Sequence, residues 1–360
     1  MKYLFFVQTE GRGHLSQALC LAEKLRQNGH EIVGVIVNDN PVRKIPDFFT
    51  TVINCPIHYI KSPYFLINKQ GTGINFGRSV FFNLSRLSIY IKSLKEINRL
   101  YRQYQPDVII NFYEPLAGLY NLFYNSKTPS FTVGHQFFIE HPAFKRPNKH
   151  LFDYAFLIIY NHLISCRSRA KLALSFTREE DCLRKKIIVC PPLIKKEIKN
   201  INPKQENFIL FYVLNYGYFE EIKNWASLHP EQAIEAFWDK KDETETKVFG
   251  SNLKFHPISG QKFVDLLQSC STYVSTAGFD SICEAAYLQK NILMVPTKNH
   301  YEQLCNAVDA VRAQIAITDS FFNIDLAIKS QKNRQEAPGR IFKNWVDTES
   351  DKIVRIITKF

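Results

Sequence analysis

Apolar residues occur along this chain in short runs. A small or polar turn follows each run, and then a stretch whose apolar positions recur three and four residues apart. Lys2–Val7 reads as a first β-strand and Gln8–His14 as a Gly-rich turn. Leu15 to Asn28 reads as a helix with Leu15, Leu19, Ala22 and Leu25 on one face, and Gly29 caps its C-terminus. Glu31–Val37 is the next strand. Residues 40–72 are rich in loop signals, with Pro41, Pro46, Pro56 and Pro63. Gly73 to Tyr104 predicts one or two helices, Pro106–Phe112 a strand, the small residues Ala117 and Gly118 a helix, and Pro129–Val133 a strand. Leu151 to Cys166 follows as a helix, then Ala170–Phe176 as a strand and Arg184–Val189 as a basic turn running into a strand, with Glu140, His141 and Pro142 read as loop.

The pattern then restarts. Phe208–Leu214, Ala233–Trp238 and Leu253–Phe255 read as strands, with helices from Phe219 and over Phe263–Ser269. Tyr273–Val274 leads into the small turn Ser275–Gly278 and a helix that starts near Asp280 or Ser281 and ends near Lys290. Ile292–Val295 is a strand stopped by Pro296, and Glu302 to Ala313 is a further helix. Such alternation of strand and helix is the grammar of parallel sheets, so the fold class is α/β. We divide the chain into a first Rossmann-like domain over 1–190, a Pro-, Lys- and Asn-rich linker over 191–206, a second domain over 207–335 and a terminal helix over 336–360.

In open parallel sheets ligands bind outside the carboxyl ends of the strands, where helix N-termini offer amides to anions. Polar residues gather at those ends here. In the first half they are Gly11, Gly13 and His14 after the first strand, Glu114 after Pro106–Phe112, and His135 with Gln136 after Pro129–Val133. Converging Glu and His side chains suit acid/base chemistry. His14 has a plainer reading as a residue that merely begins a helix. The spacing is G-x-G-H, not G-x-G-x-x-G, so a dinucleotide fingerprint is not met. In the second half the cluster comprises Ala277, Gly278, Phe279, Ser281, Glu284, Glu302, Gln303 and Asn306. Ser281-x-x-Glu284 also fits a capping box, in which Glu284 would satisfy only backbone amides, and Gln303 and Asn306 could share a solvated helix face.

At 360 residues the chain can bury two cores, and its 45% hydrophobic and 22% charged content is that of a folded soluble protein. The net charge of +12, from 46 basic and 34 acidic residues, calls for an anionic partner or surface. The basic residues read as spread along the chain and no nucleic-acid motif accompanies them, so nucleic acid is not expected. Phe76 to Lys95 mixes Phe, Leu and Ile with Arg78, Arg86, Lys92 and Lys95, which suits an anionic membrane surface as well as an ordinary half-buried helix. Eight cysteines lie scattered without a C-x-x-C pair or metal spacing, and the first apolar run is too short for a signal peptide. These features predict reduced thiols in the cytoplasm, with attachment to the cytoplasmic face of a membrane as a further expectation. Asp-x-Asp does not occur, and neither a metal nor a cofactor is expected beyond a donor substrate.

The second-half cluster resembles the donor-binding segment of GT-B glycosyltransferases, in the branch that includes MurG and the UDP-glycosyltransferases. The matching residues are Ala277-Gly278, Glu284, Pro296, Glu302, Gln303, Asn306 and Ala307, and Gly11-x-Gly13-His14 is similar to the acceptor-side loop of the same enzymes. The resemblance implies two Rossmann-like domains facing each other across a cleft, with the terminal helix crossing back to the first. It implies an inverting, metal-independent transfer of sugar from a nucleotide diphosphate sugar, most simply a UDP-sugar, to a glycan, lipid-linked or small-molecule acceptor. Glu284 would hold the ribose hydroxyls, and Glu302 and Gln303 the donor sugar. The turn amides and the small-residue loop at Asn215 would lie near the diphosphate, and Pro257 and Ile258 near the nucleobase. His14 would be the base, with Glu114 and His135 as the other candidates. Two departures stand out: Arg12 within the Gly loop, and Thr276-Ala-Gly278 where the family has His-x-Gly. A nucleotide-sugar epimerase and a non-catalytic binder of anionic surfaces remain the alternatives.

Overall fold

The runs read as strands all become strands, in two sheets of seven. The computed structural model describes residues 1–39, 45–64, 66, 76–124, 127–147, 150–213, 216–240, 243–332 and 339–359. Two units divide the chain: Met1–Ile67, Ile74–Lys195 and Thr348–Phe360 form the first, Asn68–Gly73 and Lys196–Asp347 the second.

The first unit runs β1 (Lys2–Val7), α1 (Arg12–Gln27), β2 (Glu31–Asn38), α2 (Asp47–Val52), β3 (Ile57–Ile60), α3 (Phe76–Leu84), α4 (Leu87–Tyr104), β4 (Val108–Phe112), α5 (Pro115–Tyr124), β5 (Ser130–Gly134), a 3₁₀ turn (His135–Glu140), α6 (Leu151–Ile164), β6 (Ala170–Leu174) and β7 (Ile187–Cys190). Its sheet has the order β3-β2-β1-β4-β5-β6-β7 and is parallel throughout. Every residue of β4, β5 and β6 is buried, the continuous burial expected of central strands covered on both faces. On one face Leu4, Phe6, Ile36 and Ile109 pack with Tyr90, Leu94, Ile97 and Leu100 of α4 and Leu116, Ala117 and Tyr120 of α5. After α1, Gly29 adopts φ +76° and its amide donates to the Arg26 carbonyl at 3.0 Å, the left-handed C-terminal cap that its sequence position predicts.

The second unit runs α7 (Lys196–Lys199), β8 (Phe208–Tyr212), α8 (Phe219–Leu228), β9 (Ala233–Trp238), β10 (Lys247–Phe249), β11 (Leu253–Pro257), α9 (Gly260–Ser269), β12 (Thr272–Ser275), α10 (Phe279–Tyr287), β13 (Asn291–Met294), α11 (Tyr301–Arg312), β14 (Ile317–Thr318), α12 (Ile324–Lys332) and α13 (Arg340–Thr348). Strand order is β10-β11-β9-β8-β12-β13-β14, parallel except for β10 on β11. Both sheets therefore reverse direction of strand addition beside their first strand. The switch points lie between β1 and β4 and between β8 and β12, where the carboxyl ends open a crevice for ligands.

Several sequence expectations are corrected. The stretch read as loop before residue 72 contains α2 and β3, and the short elements β10, β14 and α12 carried no periodic signal long enough to be seen. Glu140 is not in a loop: it ends the 3₁₀ turn, is buried, and receives a 2.5 Å hydrogen bond from Lys171. The terminal segment is two helices, because the polar run Glu349-Ser350-Asp351 breaks its periodicity. The second of them, α14 (Lys352–Ile357), belongs to the first unit, where the Tyr3 hydroxyl donates to the Ile357 carbonyl at 3.3 Å and Lys24 pairs with Asp351 at 2.7 Å. Among the described residues no helix is long and apolar enough to cross a membrane.

Candidate active site

In the first unit, the chain leaving β1 is held by Gln8, whose side-chain oxygen accepts from the amides of Thr9 (2.7 Å) and Glu10 (3.3 Å). This clamp aims the next residues at the switch point. Helix α1 begins at Arg12, three residues earlier than its apolar periodicity indicates, with Gly11 as an extended N-cap. Gly13 and His14 thus lie in its first turn. His14 does sit at a helix start, yet its ring is engaged on three sides. Nδ1 is 3.3 Å from Gln17 Oε1, Nε2 is 3.5 Å from Gln136 Nε2, and the ring stacks on Tyr113 with centroids 5.5 Å apart at 18°.

Tyr113 and Glu114 follow β4 directly. Tyr113 has φ +64°, a left-handed conformation that costs a non-glycine residue about 1–2 kcal/mol. The kink is fixed by Asn111, whose Oδ1 accepts from the Glu114 amide at 2.7 Å and whose Nδ2 donates to the Glu114 carbonyl at 3.1 Å. It turns Tyr113 toward His14 and buries the Glu114 side chain completely. One Glu114 oxygen accepts from the Ser62 hydroxyl and from the Leu116 amide (3.2 Å); the other has no hydrogen-bond partner among the described residues. Burial pushes the Glu114 carboxyl up to about 8, against the two hydrogen bonds, and the nearby Glu10 charge adds to the rise. At neutral pH the Glu114 carboxyl is therefore largely protonated, which weakens it as a counter-charge for an imidazolium. His135 is buried in the 3₁₀ turn after β5, and the side chain that reaches His14 from that turn belongs to Gln136.

In the second unit, β12 ends at Ser275, whose hydroxyl donates to the Tyr212 carbonyl of β8 at 3.0 Å and so ties the two switch-point strands together. The turn Thr276–Gly278 leads straight into α10. Gly278 is the N-cap, extended at φ −74°, and makes no side-chain capping bond. The helix thus starts at Phe279, before Ser281. Ser281 lies inside it, and the capping-box reading of Ser281 and Glu284 does not hold. Glu284 is buried on α10 without that duty. Asn306 of α11 donates to the Ala277 carbonyl at 2.9 Å and pins the turn. Gln303 accepts from the Thr297 amide at 2.8 Å, fixing the loop after β13, while Glu302 stands half-buried beside it in the first turn of α11. Neither Gln303 nor Asn306 is merely solvated.

Pro257 is the last residue of β11 and Ile258 follows it at the same edge. Proline has no amide, so of these two only Ile258 can donate to a base ring. The neighbouring His256 is buried, with Nε2 donating to Glu235 and Nδ1 2.8 Å from Thr246 Oγ1. Asn215 lies outside the described residues. None of the eight cysteines is in a disulfide, and among the described residues no group of three His, Cys, Asp or Glu is arranged to hold a metal.

Sequence reading passed over Gln17, Ser62, Tyr113 and Asn161. The polar Asn161 in the apolar run Leu151–Ile164 was the available signal: a lone amide inside a covered helix must find partners.

The glycosyl transferase family 1 model matches residues 1–329. Among curated proteins none matches the chain. Solved structures that resemble it include the glycotransferase of kitacinnamycin, at 16% identity and TM-score 0.65 over 99% of both chains. Acinetobacter baumannii MurG is similar at 14% identity and TM-score 0.58 over 100% of both chains. The spinosyn rhamnosyltransferase SpnG with thymidine diphosphate is similar at 12% identity and TM-score 0.56, over 97% of this chain and 92% of its own. At such identities the structures speak for the fold, and the two switch-point sheets are the halves of the GT-B architecture that they share. With the family model spanning both sheets and the strand ends carrying the residues just described, the chain belongs to glycosyl transferase family 1 and is a glycosyltransferase of the GT-B fold.

Proposed function

We propose that this glycosyltransferase moves a sugar from a nucleotide diphosphate donor, with a UDP-sugar as first candidate, to an acceptor hydroxyl, with inversion and without a metal. The carrying observation is Glu284: a buried carboxyl on the helix that opens at the β8–β12 switch point, free of the capping role that its sequence context offered. A carboxylate there suits a pair of ribose hydroxyls, and the N-terminus of α10 suits a diphosphate, whose developing charge backbone dipoles stabilise as the bond to the sugar breaks. Ala277, Gly278, Phe279 and Ser281 form that turn and first helical positions. Glu302 and Gln303 offer polar groups for the sugar, and Ile258 an amide for the base. Gly11 and Gly13 bring backbone close to the ligand on the side of His14.

His14 is the base in this reading. It lies at the β1–β4 switch point with both ring nitrogens facing side-chain amides, which supports it ahead of Glu114, whose carboxyl burial holds largely protonated. The spinosyn rhamnosyltransferase has been captured with thymidine diphosphate and, in another structure, with its aglycone, which supports a nucleotide donor and a non-nucleotide acceptor for this chain as well. Donor hydrolysis or transfer needs no cofactor in this scheme.

Attachment to an anionic membrane surface is the second part of the reading. The two units differ in charge: the first carries 28 basic and 15 acidic residues, the second 18 and 19. The basic excess is therefore concentrated, contrary to the even spread expected. On α3 and α4, Phe81, Leu84, Leu87 and Ile91 are exposed among the exposed Arg78, Lys92 and Lys95. Calorimetry with UDP-, GDP- and TDP-sugars tests the donor assignment. Binding of one class with micromolar affinity supports it, and silence from all three would remove it.

A further inference from the structure

Contacts from His14 through Tyr113, Asn161 and Gln136 close into a ring. The His14 imidazole lies flat on Tyr113. The Tyr113 hydroxyl donates to Asn161 Oδ1 at 2.6 Å, and Asn161 Nδ2 donates to the Gln136 backbone carbonyl at 3.0 Å. The Gln136 side chain returns to His14, its Nε2 at 3.5 Å from the imidazole Nε2. Tyr113 is only 5% exposed and Asn161 fully buried, and the Tyr113 ring is further held edge-on by Phe137 (5.6 Å) and Tyr160 (5.7 Å). A flat ring locked from three sides is a platform that sets the plane of whatever stacks on it.

The same contacts set the imidazole's tautomer. Gln17 is 1% exposed and i+3 on the helix, and it presents its carbonyl oxygen to Nδ1. That oxygen only accepts, so Nδ1 carries the hydrogen. Gln136 presents an amide nitrogen, which only donates, so Nε2 keeps its lone pair. Both neighbours agree on one form, with Nε2 as the nitrogen that takes a proton. Resting on the reading of His14 as base, we propose that Tyr113 and Gln17 are its positioning residues: Tyr113 fixes the plane of the ring and Gln17 fixes its tautomer. Gln136 occupies the lone pair in the free enzyme and yields it to the acceptor hydroxyl. In the transfer step that hydroxyl gives its proton to Nε2, its oxygen bonds the anomeric carbon, and the sugar's bond to the diphosphate breaks with the electron pair leaving on the diphosphate. The left-handed backbone of Tyr113 fits the assignment, since a strained residue persists where its surroundings over-determine it.

The test is nitrogen NMR of the full chain labelled with ¹⁵N-histidine. His14→Gln identifies the His14 signals, and spectra are taken well above the pH at which imidazoles titrate. The expected result is a His14 with protonated Nδ1 and bare Nε2 in the wild type, shifted toward the opposite tautomer in Gln17→Leu. Tyr113→Phe keeps the ring but loses the bond to Asn161, and Tyr113→Leu loses the platform. With the donor and acceptor of the enzyme, Tyr113→Phe is expected to lower kcat several-fold. Tyr113→Leu is expected to lower it about 10- to 100-fold with KM for donor little changed, the size of loss that misplacing a reacting group by ~1 Å produces. A wild-type His14 protonated on Nε2 overturns the proposal without any assay of activity, and so does a Tyr113→Leu enzyme that folds and keeps wild-type kcat. Should Tyr113→Leu fail to fold, the Tyr113→Phe rate and the Gln17→Leu tautomer decide. Unchanged turnover in His14→Ala would instead remove the reading of His14 as base, which is a separate failure.

Discussion

Replacing Glu114 with Gln gives the sharpest test of the first unit's electrostatics. The carboxyl is fully buried and takes up its proton at about 8 rather than 4.5. Below about pH 4.5 the folded and unfolded chains both hold this proton, and burial carries no ionisation penalty. Between about 4.5 and 8 the unfolded chain releases it while the folded chain keeps it, so folding grows less favourable by about 1.4 kcal/mol per pH unit. At pH 7 the wild type has lost roughly 3 kcal/mol in this way, and above about pH 8 the loss levels off near roughly 5 kcal/mol. Glutamine can accept the same bonds from Ser62 and the Leu116 amide and does not ionise. Its uncharged amide nitrogen lies where the second oxygen is unpartnered, a fixed cost of about 1–3 kcal/mol that does not vary with pH. The difference in stability between Glu114→Gln and wild type should therefore move in favour of the variant as pH rises from 5 to 8, whatever its starting value. Urea unfolding at four or five pH values measures it. A difference that stays flat across that range would refute the burial argument.

Three other outcomes follow from the geometry. Glu284→Gln should weaken nucleotide-sugar binding by calorimetry while thermal stability stays nearly constant; a variant that melts lower yet binds normally would assign Glu284 to the fold alone. Gly118→Ala places a Cβ 2.0 Å from the Leu163 carbonyl oxygen and 2.7 Å from that of Ile164, backbone atoms that no rotamer can move. Overpacking of about 1–3 kcal/mol then exceeds the helix-propensity gain of about 1 kcal/mol, so the melting temperature should fall by several degrees, and a rise would show that α5 and α6 are not in close contact. Sedimentation with anionic vesicles should capture the protein at low salt and release it at high salt; no capture at low salt, where attraction is greatest, would remove the membrane reading.

Much of the architecture was legible in the sequence because buried parallel strands are continuous apolar runs and the helices between them keep a 3.6-residue rhythm. What escaped was short or lacked a pattern. β10 and β14 are three- and two-residue strands that exist through their neighbours' pairing, not their own propensity. The candidate site was legible only as a set of strand ends. His14 and Glu114 could be named because charged and imidazole groups stand out after apolar runs. The raised proton affinity of Glu114 could not, since it depends on how deeply the carboxyl is buried, a property of Ser62, Asn111 and the covering helices. Tyr113 follows the strand as one more aromatic, and only its backbone angle and its stacking distinguish it. Asn161, an amide inside an otherwise apolar helix, links Tyr113 to the Gln136 backbone. For Glu284 the sequence offered two roles, and the capping one falls because α10 begins at Phe279, after a turn held by Asn306.

The central claim is that this chain breaks the bond between a sugar and a nucleotide diphosphate with His14 as base. The direct measurement is release of nucleotide diphosphate from whichever donor binds, first with water as acceptor and then with added hydroxyl compounds, in wild type and His14→Ala. Wild type should release it, and His14→Ala should bind the donor as tightly but turn over about 10²- to 10⁴-fold more slowly, the range that general-base help supplies. A wild type that binds no nucleotide sugar, or a His14→Ala variant that matches it in turnover, would contradict the account.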